Sequence, residues 1–545
     1  MNTPNNSHYR RLISSFALRL PRPKVATVRR FLSDPWLWAI LAITGLGAFL
    51  RLYRLMEIPP GITGDEGWQG INARRILDEG WIGAYVSSGY GMNSGTMYWT
   101  APFVGLLGNT VLAIRLSAAL LGTATIPLGY LALREMSGKP AALIGAFILA
   151  VSMWHIHLSR IAFQVISWPL MEMAALGAVF WAFRTKRRSV FVLAGFVLGL
   201  GFHSYPAFPL FAGGLYLFFI WTLIRGESMP RAELLRNLVL LSIAAFMTAQ
   251  PLVREALDSN SLYRNDGART DALIFNQASY QQLEGFADRV EFLASRARDY
   301  FLALTSEARL DGADMLGLTP ILDRFTVVLA LAGLAYMMFK WRRSAHVFIW
   351  IMFLVLPVPA IITVDGTYRR TFGIVPFISL AAAIPLALAW EHALKLRWLG
   401  RWALLGAVVV VLGLLARVNL VRYFDTFANS PSASVSFVED LTNASEYVAD
   451  LPGTPYIYLY SDRWVYGYET QRYLLPNRRG EDRSEEHGKF TLEADRDQDV
   501  VFVFLSPYFE LLSEVEARYP GGISHKENDS AGKLLFRAYY LPRPP

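Results

Sequence analysis

The sequence contains no cysteine among its 545 residues. This absence excludes disulfides, thiolate metal sites and cysteine nucleophiles, and it leaves the compartment open. Charged residues are also scarce, at 18% of the chain, whereas soluble domains carry about 25%. Hydrophobic residues make up 53%, and the mean hydropathy is +0.30. The composition therefore predicts a polytopic membrane protein.

Two sequence patterns with a clear functional meaning are also missing. We find no glycine-rich loop of the kind that cradles nucleotide phosphates. We find no internal repeat of the kind that marks inverted-repeat transporters. The formal net charge of +8 is compatible with nucleic-acid binding, but the positions of the basic residues decide what that charge means.

Hydrophobic runs of roughly 20 residues predict about eleven transmembrane segments. They lie near residues 36–56, 112–133, 140–157, 161–183, 189–203, 206–224, 235–253, 324–340, 345–363, 371–390 and 401–420. Every second short loop between them is basic, as in "REMSGK", "RTKRR" and "KWRR". This bias follows the positive-inside rule, so it predicts a cytoplasmic N-terminus and no nucleic-acid partner.

The predicted organisation has three parts. Residues 1–35 form a basic cytoplasmic segment, and residues 36–421 form a membrane domain with outer loops at 57–111 and 254–323. The tail, residues 422–545, contains "TPYIYLYSD", "DVVFVFLSP" and "KLLFRAYYL", which are typical of strands. The predicted fold class is an all-α polytopic membrane protein of the plasma (inner) membrane with a small extracytoplasmic α/β C-terminal domain.

One short motif follows the first hydrophobic segment. In "PPGITGDEGWQG", Asp65 and Glu66 stand side by side among glycines. Thr63 and Glu66 have the spacing of a capping box, so both acids are explicable as the first turn of a helix. The alternative is a functional site, because Gly61, Gly64 and Gly67 let a ligand or another backbone approach closely.

The second outer loop carries an amphipathic helix. Apolar residues from Leu283 to Leu304 recur at steps of three and four, and charged residues occupy the other faces. The helix is expected either to lie on the membrane or bundle, or to form a lid over a site.

The predicted organisation resembles that of the GT-C glycosyltransferases. The shared features are the position of "GDEG" just after the first span, two further helical pieces in the same loop, about eleven spans and an external tail. The resemblance is to the protein-mannosyltransferase and aminoarabinose-transferase type, glycosyltransferase family 39, which includes the RgtA/B/C/D-like bacterial enzymes. It implies a polyprenyl-phosphate sugar donor, a lipid, glycan or protein acceptor, inversion of the anomeric centre and no cofactor. It assigns Asp65 as the general base, with Glu66 orienting Asp65 or a sugar hydroxyl.

Cationic and polar side chains on the same predicted side are candidates for binding the donor phosphate. They are Arg160, His203, Tyr205, Arg369 and Arg370. The adjacent pair in "DGTYRR" runs against the charge bias of the outer loops, and arginine grips phosphate bidentately. Binding of anionic lipid headgroups is the alternative for the pair, and a hydrogen-bonded interfacial histidine is the alternative for His203.

Charges inside predicted spans and the adjacent acids also carry structural expectations. Arg115 and Glu172 fall inside predicted spans, so each is expected in a buried structural pair. Adjacent acids without a third acidic neighbour make a poor metal cage, so no metal is expected at Asp65 and Glu66. The rival functions are a multi-pass lipid or glycan transporter (flippase) with a binding tail, and a non-catalytic membrane anchor.

The orientation is testable with reporter fusions. A reporter that is active only outside the cytoplasm is expected to be active when fused after residue 421, and inactive after Arg188. The reason is the positive-inside bias of the loops. Activity after Arg188, or a silent fusion after residue 421, would contradict the predicted topology.

Overall fold

A computed structural model describes residues 33–87, 91–226, 229–258, 273–306, 320–364, 368–486, 490–529 and 531–544. Nearly all of the predicted N-terminal segment 1–35 lies outside these residues, as do 259–272 and 307–319 of the second predicted loop. The first helices are α1 (Pro35–Leu52), α2 (Gly64–Glu79), α3 (Gly95–Leu107), α4 (Val111–Val151), α5 (Met153–Arg160), α6 (Ser167–Thr185), α7 (Arg188–Gly201), α8 (Phe208–Arg225) and α9 (Arg231–Leu257). A two-stranded ladder of β1 (Tyr85–Val86) and β2 (Met92–Asn93) precedes α3.

Between residues 273 and 421, the described parts of the chain contain seven more helices. They are α10 (Ala278–Gln281), α11 (Phe286–Thr305), α12 (Arg324–Phe339), α13 (Ser344–Val355), α14 (Val358–Ile362), α15 (Val375–Ala393) and α16 (Trp398–Val421). Short 3-10 turns at Gln164–Ile166 and Tyr368–Ile374 join the helices around the candidate site. A π-helical turn, Arg422–Phe427, prolongs α16 past the predicted domain boundary at residue 421.

Among the described residues, eight helical segments are long and apolar enough to cross a membrane, and α7 and α12 are shorter apolar helices. One of the eight, α4, has 41 residues and breaks at Gly138. Gly138 has φ +80°, a conformation that glycine adopts without steric cost. The break lies between the predicted spans 112–133 and 140–157, and each predicted span overlaps one of these helices. The predicted polytopic helical fold is confirmed.

The C-terminal domain is built on one five-stranded sheet. Its elements are α17 (Pro431–Ser436), α18 (Glu439–Asp450), β3 (Tyr456–Tyr460), α19 (Glu469–Leu474), β4 (Gly480–Asp482), β5 (Val500–Phe504), α20 (Leu511–Arg518), β6 (Ile523–Asn528) and β7 (Leu534–Leu541). The strand order is β4-β3-β5-β7-β6, with β3 parallel to β4 and β5 and the other pairs antiparallel. Alternate side chains of β3 and β5 enter two cores, one on each face. The predicted α/β tail is confirmed.

Helix α2 is packed against α19 of the C-terminal domain. A Cβ added at Gly67 would lie 2.6 Å from the main-chain oxygen of Glu469, and one at Gly64 would lie 2.8 Å from the hydroxyl of Tyr468. Thr470 Oγ1 donates to the carbonyl of Ile62 at 2.8 Å. The C-terminal domain therefore explains both glycines: its main chain lies against Gly67, and the Tyr468 side chain lies against Gly64.

Helix α11 is packed on the helical bundle through polar side chains. Arg296 Nε donates to the carbonyl of Ile361 at 2.7 Å, and Tyr300 donates to Thr371 Oγ1 at 2.9 Å. Phe286 and Val290, on the same stripe, are exposed. Of the two alternatives for this helix, these contacts favour a helix packed on the bundle, and they place it beside the turn that carries the arginine pair.

Candidate active site

The local sequence explains why α2 begins where it does. Thr63 caps the helix, since its Oγ1 accepts from the amide of Glu66 at 3.3 Å and Glu66 Oε2 accepts from the amide of Thr63 at 3.1 Å. This is the predicted capping box, and it leaves Asp65 in the first turn. Neighbouring residues on a helix point about 100° apart. The two acids therefore face different surroundings.

Glu66 is fully buried and paired. Its Oε1 accepts from Arg115 Nε at 3.2 Å and from the amide of Ala162 at 3.0 Å. Arg115 is equally buried and also donates to the carbonyls of Leu55 and Pro59. Because both Glu66 oxygens are occupied and shielded, this carboxylate joins α2 to α4 and to the chain at residue 162. The resemblance gave Glu66 the role of orienting Asp65 or a sugar hydroxyl. Its occupied oxygens leave no place for a sugar hydroxyl, so we correct that part and give Glu66 a structural role; the orientation of Asp65 through the start of α2 stays a prediction.

Asp65 faces a cavity of about 390 Å³. Its Oδ2 lies 2.7 Å from Arg369 Nη1, and the two side chains keep 30% and 22% of their surface exposed. Arg370 and Tyr205 line the same cavity. The structure thus brings together four of the seven residues singled out from the sequence, from segments separated by about 300 positions along the chain.

The 3-10 turn Tyr368–Ile374 positions the arginine pair. The Arg369 guanidinium lies 5.2 Å from the centre of the Phe163 ring. Thr371 is buried and receives the hydrogen bond from Tyr300. Gly373 allows the turn to lie directly on α6, since a Cβ there would be 2.5 Å from atoms of Glu172 and Trp168. The turn is therefore held against α6 and α11 while its arginines face the cavity.

The rest of the cavity wall is largely apolar. The Tyr205 ring stacks on Trp168 at 5.3 Å between ring centres. Further apolar residues on the wall are Met92, Phe163, Val165, Pro206, Leu210, Leu273, Pro359 and Ile362. A charged pair within an apolar cavity suits a ligand that carries both an anionic group and a hydrocarbon chain.

Arg160 lies away from this cavity. Its guanidinium is fully buried, and it donates to the carbonyls of Leu50, Arg51, Arg54 and Ile58. These bonds occupy all three of its nitrogen atoms. We therefore correct the expectation that Arg160 binds phosphate and give it a structural role.

His203 also lies outside the cavity lining. Its Nε2 donates to the carbonyl of Thr248 at 2.9 Å, and this bond ties the turn after α7 to α9. This contact agrees with the second interpretation of His203 given above, a hydrogen-bonded histidine that is not a ligand-binding residue. We therefore correct the expectation that His203 binds phosphate.

Arg115 and Glu172 were each expected in a buried structural pair, and the structure shows such a pair for only one of them. Arg115 is paired, with Glu66. Glu172 is fully buried beside Trp168, and no cation in the described part of the chain forms an ion pair with it. The pairing prediction is therefore confirmed for Arg115 and wrong for Glu172.

Two glutamines on the cavity wall were not predicted from the sequence. Gln69 and Gln164 are buried, and their side-chain oxygens have no hydrogen-bond partner in the described part of the chain. Gln69 follows Asp65 by four residues, so the spacing of helical neighbours was a usable signal. Gln164 lies in a 3-10 turn and has no comparable signal. Both amides offer acceptors to a polar ligand.

Tyr468 reaches the motif from the C-terminal domain and was also missed. It packs against Gly64. Burial raises the pKa of Tyr468 above its usual value, and the carboxylates of Glu469 and Asp65 raise it further. Tyr468 therefore stays protonated beside Asp65. Within the described residues, no group of three or more histidine, aspartate or glutamate side chains is arranged to hold a metal ion.

Comparison with known proteins extends this description. A family model described as dolichyl-phosphate-mannose-protein mannosyltransferase matches residues 95–250. The oligosaccharyltransferase of Archaeoglobus fulgidus, solved with a tethered acceptor peptide, superposes with a TM-score of 0.54 at 13% identity, over 92% of this chain and 74% of that one. ArnT from Cupriavidus metallidurans, solved without ligand and with undecaprenyl phosphate, gives 0.52 at 14% identity, over 94% of this chain and 99% of that one. The chain has the GT-C fold.

The predicted resemblance is therefore confirmed at the level of the fold. A search of curated protein sequences finds no match. The matched family region begins at Gly95, after the "GDEG" motif. The roles of Asp65, Arg369 and Arg370 accordingly stay predictions that the cavity geometry supports.

The buried position of Glu66 changes what its substitution should do. In Glu66→Gln, an amide nitrogen replaces one of the two carboxylate oxygens. At the Oε1 position it would face Arg115 and the Ala162 amide, and at the Oε2 position it would face the Thr63 amide. All of these groups are donors, so a donor would lie against a donor in either orientation. Removing one partner of a buried ion pair costs about 3–5 kcal/mol. We expect a large drop in the unfolding temperature, measured by a thermal scan.

Glu79→Gln is the matched control, because Glu79 forms an exposed pair with Arg75 on the same helix. Exposed pairs contribute about 0–1 kcal/mol, so this variant should unfold near the wild-type temperature. A Glu66→Gln protein as stable as the Glu79→Gln protein would contradict the structural role of Glu66.

Proposed function

We propose that this chain is a membrane glycosyltransferase that moves a sugar from a polyprenyl-phosphate donor to an acceptor hydroxyl, with inversion at the anomeric carbon. The observation that carries the proposal is the meeting of Asp65 with Arg369 and Arg370 in one largely apolar cavity. The matched family model and the structurally similar ArnT bound to undecaprenyl phosphate support this substrate class.

The arginine pair is proposed to bind the donor phosphate. Arg369 is held by Asp65 at 2.7 Å, and both side chains remain partly exposed. In the donor, the phosphate is a diester with one negative charge, which two adjacent guanidiniums can bind together. It becomes a monoester with additional negative charge as the sugar leaves, so the arginine pair stabilises the leaving group most strongly. Phosphate binding then draws Arg369 from Asp65 and frees the carboxylate as a proton acceptor.

The apolar wall is proposed to receive the first part of the polyprenyl chain. Tyr205 is fixed by its stack on Trp168, and Leu210 and Ile362 extend the wall. Burying apolar lipid surface there contributes about 25 cal/mol per Å². The buried side-chain oxygens of Gln69 and Gln164 are the proposed partners of sugar hydroxyls, because none of the described residues donates a hydrogen bond to them.

The reaction follows from these positions. The acceptor oxygen attacks the anomeric carbon, and the bond from that carbon to the phosphate oxygen breaks. The acceptor proton passes to Asp65, and the bonding electrons leave with the polyprenyl phosphate, whose charge the arginines stabilise. We propose that the cavity and the C-terminal domain are extracytoplasmic, as the basic cytoplasmic loops indicate.

Asp65→Asn tests the general base. Incubation with a panel of polyprenyl-phosphate sugars and acceptors should release free polyprenyl phosphate from the wild-type protein. Because asparagine does not accept the proton, turnover should fall by about 10²-fold or more while the donor still binds. Asp78→Asn is the control, since Asp78 lies on the same helix in an exposed pair with Arg74. Wild-type turnover in Asp65→Asn would contradict the assignment.

The arginine pair is tested by donor affinity. In Arg369→Gln and Arg370→Gln, donor binding should weaken by roughly tenfold or more each, because hydrogen bonds to charged groups contribute about 1.5–3 kcal/mol. Lysine at either position should recover part of the affinity. Arg298→Gln, at an exposed position on α11, should bind as the wild type does. Unchanged affinity in the double glutamine variant would leave headgroup binding as the role of the pair.

A further inference from the structure

The C-terminal domain contains a second cavity, of about 460 Å³. It shares no lining residue with the cavity at Asp65. Its wall carries two carboxylates, two cations, hydroxyls and one aromatic ring. The residues that supply them are Asp440, Asp462, Arg463, Ser506, Phe509 and Lys533.

The cavity lies at a specific point of the sheet topology. From β3 the chain passes through α19 to β4 on one side of β3, and β5 then pairs on the other side. Helix α19 packs on one face of the sheet, whereas Leu492 and Ala494, in the connection to β5, pack on the opposite face. The strand order therefore reverses between β3 and β5. In open α/β sheets, the crevice at the carboxyl ends of such strands is where ligands bind.

The lining residues occupy those carboxyl ends. Asp462 and Arg463 follow the last residue of β3 by two and three positions, and Ser506 follows β5 by two. Asp440 joins them from the first turn of α18. The topology and the position of the cavity are independent observations, and both identify the same crevice.

The polar groups of this cavity are held in place by neighbouring aromatic residues. Trp464 Nε1 donates to Asp440 Oδ1 at 3.1 Å, and Tyr508 donates to Asp462 Oδ1 at 2.5 Å. The Arg463 guanidinium lies 4.4 Å from the centre of the Trp464 ring. Such support fixes side chains before a ligand arrives, which lowers the entropy that binding costs.

The balance of charge indicates the chemistry of the ligand. Two acids and two cations give no net charge, so a strongly anionic ligand would be repelled by Asp440 and Asp462. Neutral hydroxyl groups both donate to carboxylates and accept from arginine or lysine. The half-buried Phe509 ring adds an apolar surface beside them. From these observations we propose that the cavity is a second binding site that takes a neutral saccharide chain.

The test is binding in the absence of any lipid-linked donor, so its outcome does not depend on the transfer reaction. Full-length protein in detergent is titrated with maltohexaose, mannohexaose and chitohexaose, and contact is measured by saturation-transfer NMR. At least one of these neutral oligosaccharides should bind at millimolar concentration or below. The affinity should fall by roughly tenfold or more in Asp462→Asn and in Arg463→Gln.

Three further variants test whether the oligosaccharide binds in this cavity. Lys533→Gln changes an exposed lining residue, so it should fold normally and still weaken binding. Arg518→Gln, at an exposed arginine of the same domain outside the lining, should bind as the wild type does. Asp65→Asn should also bind normally, because Asp65 lines only the other cavity.

Several outcomes would overturn the proposal. One is the absence of binding by all three oligosaccharides. Another is unchanged affinity in the Asp462, Arg463 and Lys533 variants together. Tighter binding of a polyuronate oligosaccharide than of the neutral ones would reject the neutral ligand class. Loss of binding in Asp65→Asn with retention in the Arg463 variant would place the sugar in the first cavity instead.

Discussion

The candidate site depends on how the chain between α1 and α2 satisfies its main-chain carbonyls. This segment has no regular helix to satisfy them, and much of it is buried. Arg115 donates to the carbonyls of Leu55, Pro59 and Gly61, and Arg160 to those of four other residues between 50 and 58. A guanidinium has five N–H donors in a rigid fork, so two side chains satisfy groups that would be costly to bury unpaired.

Glu66 completes this arrangement. It offsets the buried charge of Arg115 and caps α2 through Thr63. The start of the helix is thereby fixed, and Asp65, one position earlier, is directed to the cavity. The two adjacent acids have different surroundings because their side chains leave the helix in different directions. One acid supports the fold, and the other is available for chemistry.

The sequence predicted the fold in most of its parts because hydrophobic length, loop charge and strand alternation are local signals. Asp65, Tyr205, Arg369 and Arg370 were candidate site residues in the sequence, and the structure places all four around one cavity. The acid motif and the arginine pair were recognisable because such charges are conspicuous in predicted outer loops. The prediction that Arg160 binds phosphate was wrong. The sequence does not distinguish an arginine that donates to buried carbonyls from one that binds phosphate. Gly64 and Gly67 indicated a close approach, but only the structure shows that Tyr468 and Glu469 of the C-terminal domain are what approaches.

The two halves of the candidate site are held by different forces. Asp65 belongs to a helix fixed by a buried ion pair and by contact with the C-terminal domain. Arg369 belongs to a 3-10 turn that rests on the Tyr300–Thr371 hydrogen bond and on the close packing of Gly373 against α6. The Asp65–Arg369 pair keeps 30% and 22% of its side-chain surface exposed, so water reaches it and screens it in part. The exchange of a carboxylate for a phosphate that we propose at Arg369 requires a pair that can separate, and the other contacts hold the two halves when it does.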